Sequence, residues 1–489
     1  MEIFRGTLEV LVAVFGGLVM IFMLYQVILS IFGFTKNGKD YEDQTPQTRF
    51  LVLVPAHNEE SVIGDIVKNL QQMEYPSHLY DYYVIADNCT DSTAQVVESL
   101  GGKVIVTQKE GPDAPTGKPI ALKKALDYLG DYEKKHDLLM IFDADNLIDT
   151  NMFAEVNSQY ISKDKPEMIQ CYLGCKNNMG IIPWFFYTSF SISNRFFQLS
   201  RYKRGINCSI GGTGFAISTA YLKERGGWTT LSLTEDFEIQ VEATLEKKRI
   251  LWNQQVRVYD EKPRQIKASY KQLVRWAQGR WFVTFNNTGK LFRAVKNREI
   301  SFREGLSVFT FMYTPISYFV AIFQVLAQII LNITAPAIVK ETVPIAKRIV
   351  ETGQQGGWLM TIVAAIVFVY SYFFLFYIAD YLDNGMKPSW RTFPYMIGSF
   401  LTNMVLATLA QVEGIFKYKD QNNWVKTEHF ITTDAEGETH IGYEKMAVGE
   451  VPGDPLTDIP TNSSANEEKR REHTVSPLSS LKEQTRETA

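Results

Sequence analysis

The sequence has little of what zinc sites and disulfide frameworks require. It contains 4 cysteines and 6 histidines among 489 residues. Cys171 and Cys175 have no second cysteine pair and no neighbouring histidine, which argues against a zinc site. With Cys89 and Cys208 they are scattered through one segment, and we expect all four to be free thiols in a cytosolic domain.

A strong charge of one sign is also absent. The chain has 50 lysines and arginines against 54 aspartates and glutamates, a formal net charge of −4. Nucleic-acid binding proteins present a basic surface to the phosphate backbone. The composition therefore gives no reason to expect a nucleic-acid partner.

Long uncharged apolar runs are missing from residues 48–300 but present on both sides of them. Residues 10–33 carry no charge, and a helix of that length crosses the hydrocarbon core of a bilayer. No basic segment precedes this run and no small-residue cleavage site follows it, so we expect a retained transmembrane helix. Three further candidate spans are 306–333, which Pro315 is expected to kink or break, 358–379 and 393–416.

Basic residues indicate the orientation of these spans. They follow the first run at Lys36, Lys39 and Arg49, and separate the last two at Lys387 and Arg391. The positive-inside rule places both stretches, and the domain between them, in the cytoplasm. Lys417, Lys419 and Lys426 favour a cytoplasmic C-terminus, whereas three later spans place it outside, so the number of spans stays open.

Between the apolar runs, strands alternate with helices. Strands are predicted over 50–55, 82–86, 103–106 and 138–142, and helices over 59–72, 93–100 and 118–129. This pattern is typical of a mostly parallel sheet with helices on both faces. Ligands bind such sheets beyond the carboxyl ends of the strands, where polar residues cluster here at 56–60, 87–92 and 143–146.

Two of these carboxylates have the spacing of a cation site. Asp143 and Asp145 follow an apolar strand, so both side chains can reach one hard cation. Mg²⁺ or Mn²⁺ bound to a diphosphate needs only one or two protein carboxylates. The cation would stabilise a departing diphosphate. An ordinary turn is the alternative for an isolated Asp-x-Asp.

Three further residues have a functional and a structural interpretation. Asp87 could accept a hydrogen bond from a uracil N–H. Alternatively it could form an Asx-turn or cap the next helix, although Asp91 or Ser92 fits that cap better. Lys118 could meet a phosphate at a helix start, or be solvated. Asp236 could be the base that deprotonates an attacking hydroxyl, or belong to a helix N-terminus capped by Thr234.

Two segments later in the chain could meet substrate. Gln278, Arg280 and Trp281 lie in a helical stretch, where arginine can pair with a diphosphate and tryptophan can stack on a sugar. An interfacial amphipathic helix is the alternative. The glycine-dense segment 211–215 either admits a ligand close to the backbone or forms a plain turn.

Taken in order, these motifs resemble those of the processive family 2 glycosyltransferases, which include cellulose, hyaluronan and chitin synthases. The matching elements extend over about residues 50–285 and are Pro55-Ala56-His57-Asn58-Glu59, Asp87 to Ser92, Asp143-Ala144-Asp145, Thr234-Glu235-Asp236 and Gln278-Gly279-Arg280-Trp281. The flanking apolar helices also match, since these enzymes pass their product through their own membrane helices.

The resemblance implies a role for each motif. Asp87 would hold uridine, Asp143 and Asp145 would bind the metal–diphosphate, and Asp236 would be the base. Arg280 would contact the diphosphate, and Trp281 would close the acceptor site. Donor binding is further expected for Pro55, Ala56, Glu59 and Lys118, and acceptor binding for Thr213, Glu235 and Gln278.

The resemblance also implies the reaction and its partners. We expect an inverting, processive transferase that polymerises a UDP-sugar, with UDP-glucose favoured, into a β-linked glucan and translocates it across the membrane. The alternatives are a synthase that uses UDP-N-acetylglucosamine and a non-processive transferase that acts on a lipid carrier. Gly212-Thr213-Gly214 stands where cellulose synthases have Cys-Gly-Ser, and no gating-loop motif is recognisable over 290–305, which leaves the product open.

These predictions define an organisation for the chain. We expect a GT-A-like α/β glycosyltransferase domain inserted between transmembrane helices of a multi-pass plasma-membrane protein, with a possible accessory export protein. The expected segments are a transmembrane helix (1–35), a cytosolic transferase domain (36–262), amphipathic interfacial helices with the acceptor motif (263–305), transmembrane helices (306–416) and a polar, largely disordered tail (417–489).

Overall fold

A computed structural model describes residues 2–35, 39–111, 114–177, 180–317, 319–320, 323, 326–327, 330–331, 372–385, 392–421, 431–433 and 439–441. The chain divides into two compact units, residues 1–445 and 446–489. The second unit lies outside the described residues, as do most of the predicted tail and the first two-thirds of the predicted span 358–379.

An eight-stranded sheet forms the centre of the domain. Its strands are β1 (Phe50–Ala56), β2 (Tyr80–Asp87), β3 (Val104–Thr107), β4 (Leu138–Ile141), β5 (Leu147–Ile148), β6 (Met168–Cys175), β7 (Phe215–Ser218) and β8 (Ile250–Asp260). The spatial order is β3-β2-β1-β4-β7-β6-β8-β5. The strands predicted from the sequence correspond to β1 to β4.

The sheet is mixed: six of its eight strands run in one direction, as the prediction of a mostly parallel sheet requires, and β5 and β7 run in the other. β1 pairs in parallel with β2 and β4, β2 with β3, and β6 with β8. β7 is antiparallel to both of its neighbours, β4 and β6, and β5 is antiparallel to β8. Phe215, the first residue of β7, pairs with Ile141, the last residue of β4, so β7 begins at the edge where β4 ends. The carboxyl ends of β1, β2, β4, β6 and β8 consequently share that edge.

Helices cover both faces of the sheet. One core joins Phe50, Val52 and Val54 of β1 to α2 (Ile63–Gln71), α3 (Thr93–Ser99) and α6 (Met152–Ser162). The other joins Leu51 and Leu53 to α4 (Lys118–Leu129), α9 (Thr219–Glu224) and α10 (Glu235–Leu245). Successive residues of β1 enter opposite cores, which explains why the strand is apolar throughout.

The remaining helices lie before, within and after this domain. They are α1 (Glu2–Ser30), followed by a 3-10 turn (Ile31–Phe34), α5 (Tyr132–Lys135), α7 (Ile181–Ile192), a π-helix (Ser193–Leu199), α8 (Ser200–Lys203), α11 (Ile266–Lys296), α12 (Phe302–Tyr313), α13 (372–384) and α14 (Phe393–Lys417). A short hairpin joins Ile431–Thr433 and Thr439–Ile441. α12 ends two residues before Pro315, as predicted.

Within the part of the chain that the structure describes, two helices are long and apolar enough to cross a membrane, Gly6–Phe34 and Phe393–Lys417. They correspond to the first and last predicted spans. Within the described residues the other two predicted spans give α12 with a short continuation and the segment α13. The predicted interfacial region 263–305 contains one 31-residue helix, α11, and the beginning of α12.

Candidate active site

Asp143 and Asp145 lie directly after β4, at the shared sheet edge. Both are half-exposed, whereas Ala144 and Asn146 between and after them are buried. The Asp143 amide donates to Asn146 Oδ1 at 3.0 Å and to Thr213 Oγ1 at 3.1 Å. The Asn146 side-chain amide donates to Asp145 Oδ1 at 3.1 Å. Asn146 and Thr213 therefore hold the backbone that carries the two carboxylates.

Lys118 begins α4 and reaches this acidic cluster. Its ammonium group donates to Asp143 Oδ1 at 2.5 Å and to the Gly212 carbonyl at 2.7 Å, and it lies 3.9 Å from Glu235 Oε1. Burial lowers the pKa of Lys118, but the charges of Asp143 and Glu235 outweigh burial and the pKa is raised. The side chain is 17% exposed, so the solvated-lysine alternative is wrong.

Glu235 and Asp236 open α10 beside this lysine. Burial raises the pKa of both carboxyls, while the ammonium of Lys118 opposes the rise. Backbone N–H groups at the helix start also hold the charged form of Asp236. Thr234 is the N-cap residue, but its hydroxyl makes no capping hydrogen bond, so it is not the side-chain cap proposed as the alternative.

The glycine-dense segment is a turn that approaches Asp236. Gly212 has φ 81° and Gly214 has φ 63°, conformations that favour glycine. A Cβ atom on Gly212 would lie 3.4 Å from Asp236 Oδ2. Thr213, between the two glycines, is buried and supports Asp143 through its hydroxyl. The segment is therefore a tight turn against Asp236, and the close approach of a ligand to its backbone stays a prediction.

α11 passes across α10 at Gly279. A Cβ atom there would lie 2.5 Å from Thr234 Oγ1 and 2.8 Å from the Thr234 amide nitrogen. The absence of a side chain at Gly279 thus lets the helix contact the turn that carries Asp236. Gln278 faces the end of α14. Its side-chain amide donates to the carbonyl of Lys417, the last residue of that helix, at 3.4 Å and to the carbonyl of Asp420, beyond the helix, at 3.5 Å.

Arg280 and Trp281 are less accessible than their predicted roles suggest. The Arg280 guanidinium donates to the Phe311 carbonyl at 3.2 Å and lies over the rings of Phe237 and Phe311. It is close enough to Asp236 to lower the pKa of that carboxyl. Trp281 is 1% exposed and stacks on Phe285, with ring centroids 5.3 Å apart.

Arg275 is the arginine that the sequence interpretation missed. Burial lowers its pKa, and the charges of Glu235, Asp143 and Asp236 oppose that change, in this order. A signal existed in the sequence: Gln272, Arg275 and Trp276 repeat the glutamine, arginine and tryptophan types of 278–281 about one and a half turns earlier.

The donor-side residues predicted from the first two strands also meet at this edge. Asp87 ends β2 and is 6% exposed, and its Oδ1 accepts from Thr107 Oγ1 at 2.8 Å and from Asn88 at 2.9 Å. His57 Nδ1 donates to the Asp87 carbonyl at 2.7 Å. Asp91 caps α3 by accepting from the Thr93 amide at 3.0 Å, as predicted.

Pro55, Ala56 and Glu59 complete the donor-side set. Pro55 and Ala56 are the last residues of β1, paired with Ile85 and Ala86 of β2. Glu59 is buried, and its amide donates to Thr93 Oγ1 at 2.8 Å. The loop that follows β1 is therefore fixed against the beginning of α3.

The acids at this edge suit a cation shared with a substrate. Among the described residues no group of three or more His, Cys, Asp or Glu side chains could hold a metal by itself. Asp143 and Asp145 provide two half-exposed carboxylates. Mg²⁺ and Mn²⁺ in diphosphate sites use one or two carboxylates and take their other ligands from phosphate and water. The donor set fits such a cation.

Comparison with protein families and curated proteins identifies relatives of this architecture. Residues 46–279 match the family described as "Glycosyltransferase like family 2". The chain is 25% identical over 331 residues to the probable glycosyltransferase YdaM of Bacillus subtilis (strain 168), covering 65% of this chain and 76% of that protein. It is 27% identical over 233 residues to the beta-monoglucosyldiacylglycerol synthase of Nostoc sp., covering 47% and 48%.

Two more similar proteins extend the range of activities named among the relatives. The chain is 22% identical over 270 residues to the poly-beta-1,6-N-acetyl-D-glucosamine synthase of Staphylococcus epidermidis, covering 54% of this chain and 63% of that protein. Among solved structures, the mannosyltransferase PcManGT of Pyrobaculum calidifontis, in complex with GDP-Man and Mn²⁺, has a TM-score of 0.53 and 16% identity, covering 81% of this chain and 99% of that one. This last likeness concerns the fold.

Proposed function

We propose that this chain, which is a glycosyltransferase with a family 2 domain over residues 46–279, is an inverting and processive enzyme. It polymerises the sugar of a UDP-sugar, UDP-glucose being favoured, into a β-linked polysaccharide at a membrane. One observation carries the reaction class: Asp236 lies beside Lys118 and the turn 212–213, at the edge where Asp143 and Asp145 end β4.

Asp236 acts as the general base in this proposal. Inversion at an anomeric carbon requires that the attacking hydroxyl lose its proton to a group on the acceptor side. Burial raises the pKa of Asp236, which makes the carboxylate a stronger base than one in water. The backbone N–H groups at the start of α10, Lys118 and Arg280 oppose this rise, because each of them favours the charged form of the carboxylate.

The leaving diphosphate is held at the strand ends. Asp143 and Asp145 would bind Mg²⁺ or Mn²⁺, which neutralises charge on the departing diphosphate. Lys118 and Arg275 bring positive charge to the same side of the site. Asp87, with Pro55, Ala56 and Glu59, would orient the nucleoside. We assign the diphosphate contact to Arg275 as well as Arg280, since the Asp143 charge acts on Arg275.

The acceptor side is formed by α11 and the turn at 213. Glu235 and Thr213 would contact the acceptor sugar, and Trp281 with Gln278 would shape its site. Polymer formation is supported by the resemblance of 278–281 to processive enzymes and by the similarity to a poly-N-acetylglucosamine synthase. The helices Gly6–Phe34 and Phe393–Lys417 support a location at the membrane, with the domain in the cytoplasm.

A single transfer to a lipid is the second candidate. It is favoured by the similarity to monoglucosyldiacylglycerol synthases, one of which is 27% identical over 233 residues. The same site would then glycosylate a lipid hydroxyl supplied from the bilayer. A donor other than UDP-glucose, such as UDP-N-acetylglucosamine, is compatible with the same chemistry.

A radiolabelled-donor assay distinguishes these functions. Detergent-purified full-length protein is given UDP-glucose or UDP-N-acetylglucosamine, with and without Mg²⁺ or Mn²⁺, in the presence or absence of diacylglycerol. The proposal predicts a metal-dependent, high-molecular-weight product that linkage-specific glycanases digest. A product confined to the lipid fraction, whose size does not grow with time, would contradict polymer synthesis and support the second candidate.

A further inference from the structure

The segment that leads into β7 is buried but has no regular secondary structure. Residues 206–211 belong to no helix or strand, and Cys208, Ser209 and Ile210 are buried. Buried backbone N–H and C=O groups need hydrogen-bond partners, because an unpaired group costs free energy. Where a sheet ladder does not supply these partners, side chains must.

Two buried glutamines supply partners for the first part of this segment. Gln198 of the π-helix donates to the Ser209 carbonyl at 2.7 Å, and its side-chain oxygen accepts from the Ser209 amide at 2.8 Å. Gln240 of α10 accepts from the Ile210 amide at 3.1 Å. Both glutamine side chains are buried. The path of the chain up to the glycine-dense turn is therefore fixed from two helices.

A third glutamine, Gln170 of β6, spans the turn itself. Its Oε1 accepts from the Gly211 amide at 2.9 Å, and its Nε2 donates to the Thr213 carbonyl at 2.9 Å and to the Gly214 carbonyl at 3.2 Å. Nε2 also donates to the Cys171 carbonyl at 2.9 Å, and the residue is 0% exposed. A carboxamide carries an acceptor and a donor on one planar group, so it can close the turn as a carboxylate or an apolar side chain cannot.

This turn contacts three charged residues of the candidate site. The Lys118 ammonium donates to the Gly212 carbonyl at 2.7 Å. The Asp143 amide donates to Thr213 Oγ1 at 3.1 Å. A Cβ atom on Gly212 would lie 3.4 Å from Asp236 Oδ2. Because the three charged residues belong to separate elements, a shift of the turn would displace them relative to one another.

From these contacts we propose that Gln170 is a positioning residue for sugar transfer. By closing the turn it keeps the Gly212 carbonyl on Lys118. It also keeps the Thr213 hydroxyl on the Asp143 backbone amide. The inference rests on the proposed function, in which the carboxylate beside this turn is the base. A misplacement of reacting groups by about 1 Å can cost about 10²-fold in rate, so Gln170 would affect kcat through the turn.

The pH dependence of transfer by Gln170→Leu tests the proposal. Purified full-length protein is assayed with radiolabelled UDP-glucose or UDP-N-acetylglucosamine, whichever supports transfer. Leucine fills a similar volume but forms no hydrogen bond, so the turn should loosen and kcat fall about 10- to 100-fold. UDP affinity in the presence of Mn²⁺ should change less than kcat. Since Lys118 lowers the pKa of Asp236, a displaced Lys118 should also move the acid limb of kcat/KM to higher pH.

Gln159→Leu is the matched control. Gln159 of α6 is also 0% exposed, and its side chain bonds the Trp252 carbonyl at 3.0 Å and the Asn253 side chain at 2.9 Å, in the first half of β8. Its loss should lower the thermal unfolding midpoint as the loss of Gln170 does, but leave kcat and the acid limb unchanged. Equal losses of kcat in the two leucine variants, or wild-type kcat and acid limb in folded Gln170→Leu, would overturn the positioning role.

Two further variants keep the test decisive. Gln170→Asn retains a carboxamide on a side chain one methylene shorter, which cannot reach both sides of the turn, and it is measured if Gln170→Leu does not fold. It should show the same changes to a smaller degree, and wild-type values would contradict the proposal. Asp236→Asn is assayed alongside. Wild-type transfer in that variant contradicts the assignment of the base, whereas its loss, with unchanged kinetics in Gln170→Leu, contradicts only the positioning role.

Discussion

Lys118 is the residue whose positive charge opposes protonation of the acidic cluster. Three carboxylates, those of Asp143, Glu235 and Asp236, act on its ammonium group from two different elements. Without a cation between them, their repulsion and burial would favour protonation, and a protonated Asp236 cannot accept a proton. The charge of Lys118 therefore acts both on Asp143, after β4, and on Asp236, the proposed base at the start of α10.

A pH profile tests this function of Lys118. Since its charge lowers the pKa of Asp236, Lys118→Met should raise that pKa further, and Asp236 should stay protonated to a higher pH. The acid limb of kcat/KM is expected to move to higher pH, and activity at neutral pH to fall. Lys124→Met is the control, because Lys124 lies on the same helix and contacts the Gln108 carbonyl and Glu110 rather than the acidic cluster among the described residues. An unshifted acid limb in Lys118→Met would refute the electrostatic role.

A comparison of two arginines tests the diphosphate assignment. Arg275→Gln is expected to reduce kcat/KM about 10²-fold or more, in the range found for loss of a group that stabilises transition-state charge. Arg275→Lys should not restore activity fully, because an ammonium lacks the fork geometry of guanidinium. Arg280→Gln is expected to affect UDP affinity less than Arg275→Gln. If UDP titration shows a larger loss of affinity in Arg280→Gln than in Arg275→Gln, the diphosphate contact belongs to Arg280 instead.

The sequence was sufficient for some of these residues and not for others. Asp143 and Asp145 could be placed because they end a strand whose apolar pattern is clear, and Asp236 because it begins a helix. Arg275 could not be recognised beside Arg280, since both lie on one helix and only the packing of that helix on α10 brings Arg275 under the charges of Glu235, Asp143 and Asp236. Lys118 could be solvated or bound until α4 was placed against β4.

At the scale of elements, the close crossing of α11 over the start of α10 holds the turn before Asp236, the proposed base. Gly279 allows this approach, and Gly414 allows a second one, since a Cβ atom there would lie 2.4 Å from Ala277 Cβ. α14 thus packs against the residue before Gln278. The Gln278 side-chain amide donates to the carbonyl of Lys417, the last residue of α14. Gln421, four residues beyond the end of α14, accepts from the Leu233 amide through its side-chain oxygen at 2.8 Å. These contacts join α14, α11 and the turn that precedes Asp236.

Alanine at two glycines of α11 separates packing from helix propensity. Gly279→Ala should push α11 away from Thr234, lowering kcat and the thermal unfolding midpoint. Gly289→Ala is the matched control because its Cβ atom would meet nothing within 4 Å. It should leave activity unchanged and stabilise the protein by up to about 1 kcal/mol. Full activity in Gly279→Ala would show that the crossing does not position Asp236.

The elements before residue 142 could be predicted and most later ones could not. β1 to β4 and α4 agree with the predicted ranges to within two residues, because long apolar strands alternate there with amphipathic helices. β5 has only 2 residues, too few to produce a periodic signal, and the 4-residue β7 follows a glycine-dense segment rather than a helix. The antiparallel direction of β7 depends on a turn built by Gly212 and Gly214, whose positive φ angles appear only in the fold.

At the scale of the whole molecule, a buried polar network joins α13 to the transferase domain. Arg195 forms an ion pair with Asp383, both fully buried, and its Nη2 donates to the Thr35 carbonyl at 2.7 Å. Arg257 of β8 donates to the Asp383 carbonyl at 2.7 Å. Tyr187 donates to Asp380 Oδ1 at 2.6 Å. Because these bonds connect α13, the end of the first apolar segment and the sheet, the helices are fixed to the catalytic domain.

Removal of one partner of this network should be more harmful than removal of both. Arg195→Met leaves Asp383 buried without its cation and is expected to cost about 3–5 kcal/mol of unfolding free energy. Arg195→Met with Asp383→Leu should be more stable than Arg195→Met alone, although Gln254 then loses its acceptor on Asp383. Unfolding midpoints in detergent measure the difference. A double variant no more stable than Arg195→Met would mean that the ion pair does not carry the coupling.

The most direct test of the account is the Asp236→Asn variant, assayed for sugar transfer and for nucleotide binding on the same preparation. Transfer from the radiolabelled donor should fall by about 10²–10⁴-fold, the usual contribution of a general base, while UDP affinity in the presence of Mn²⁺ stays within about twofold of the wild type. Asp131→Asn, at an exposed position, should change neither quantity. Transfer at the wild-type rate in Asp236→Asn would contradict the assignment of the base and with it the proposed site.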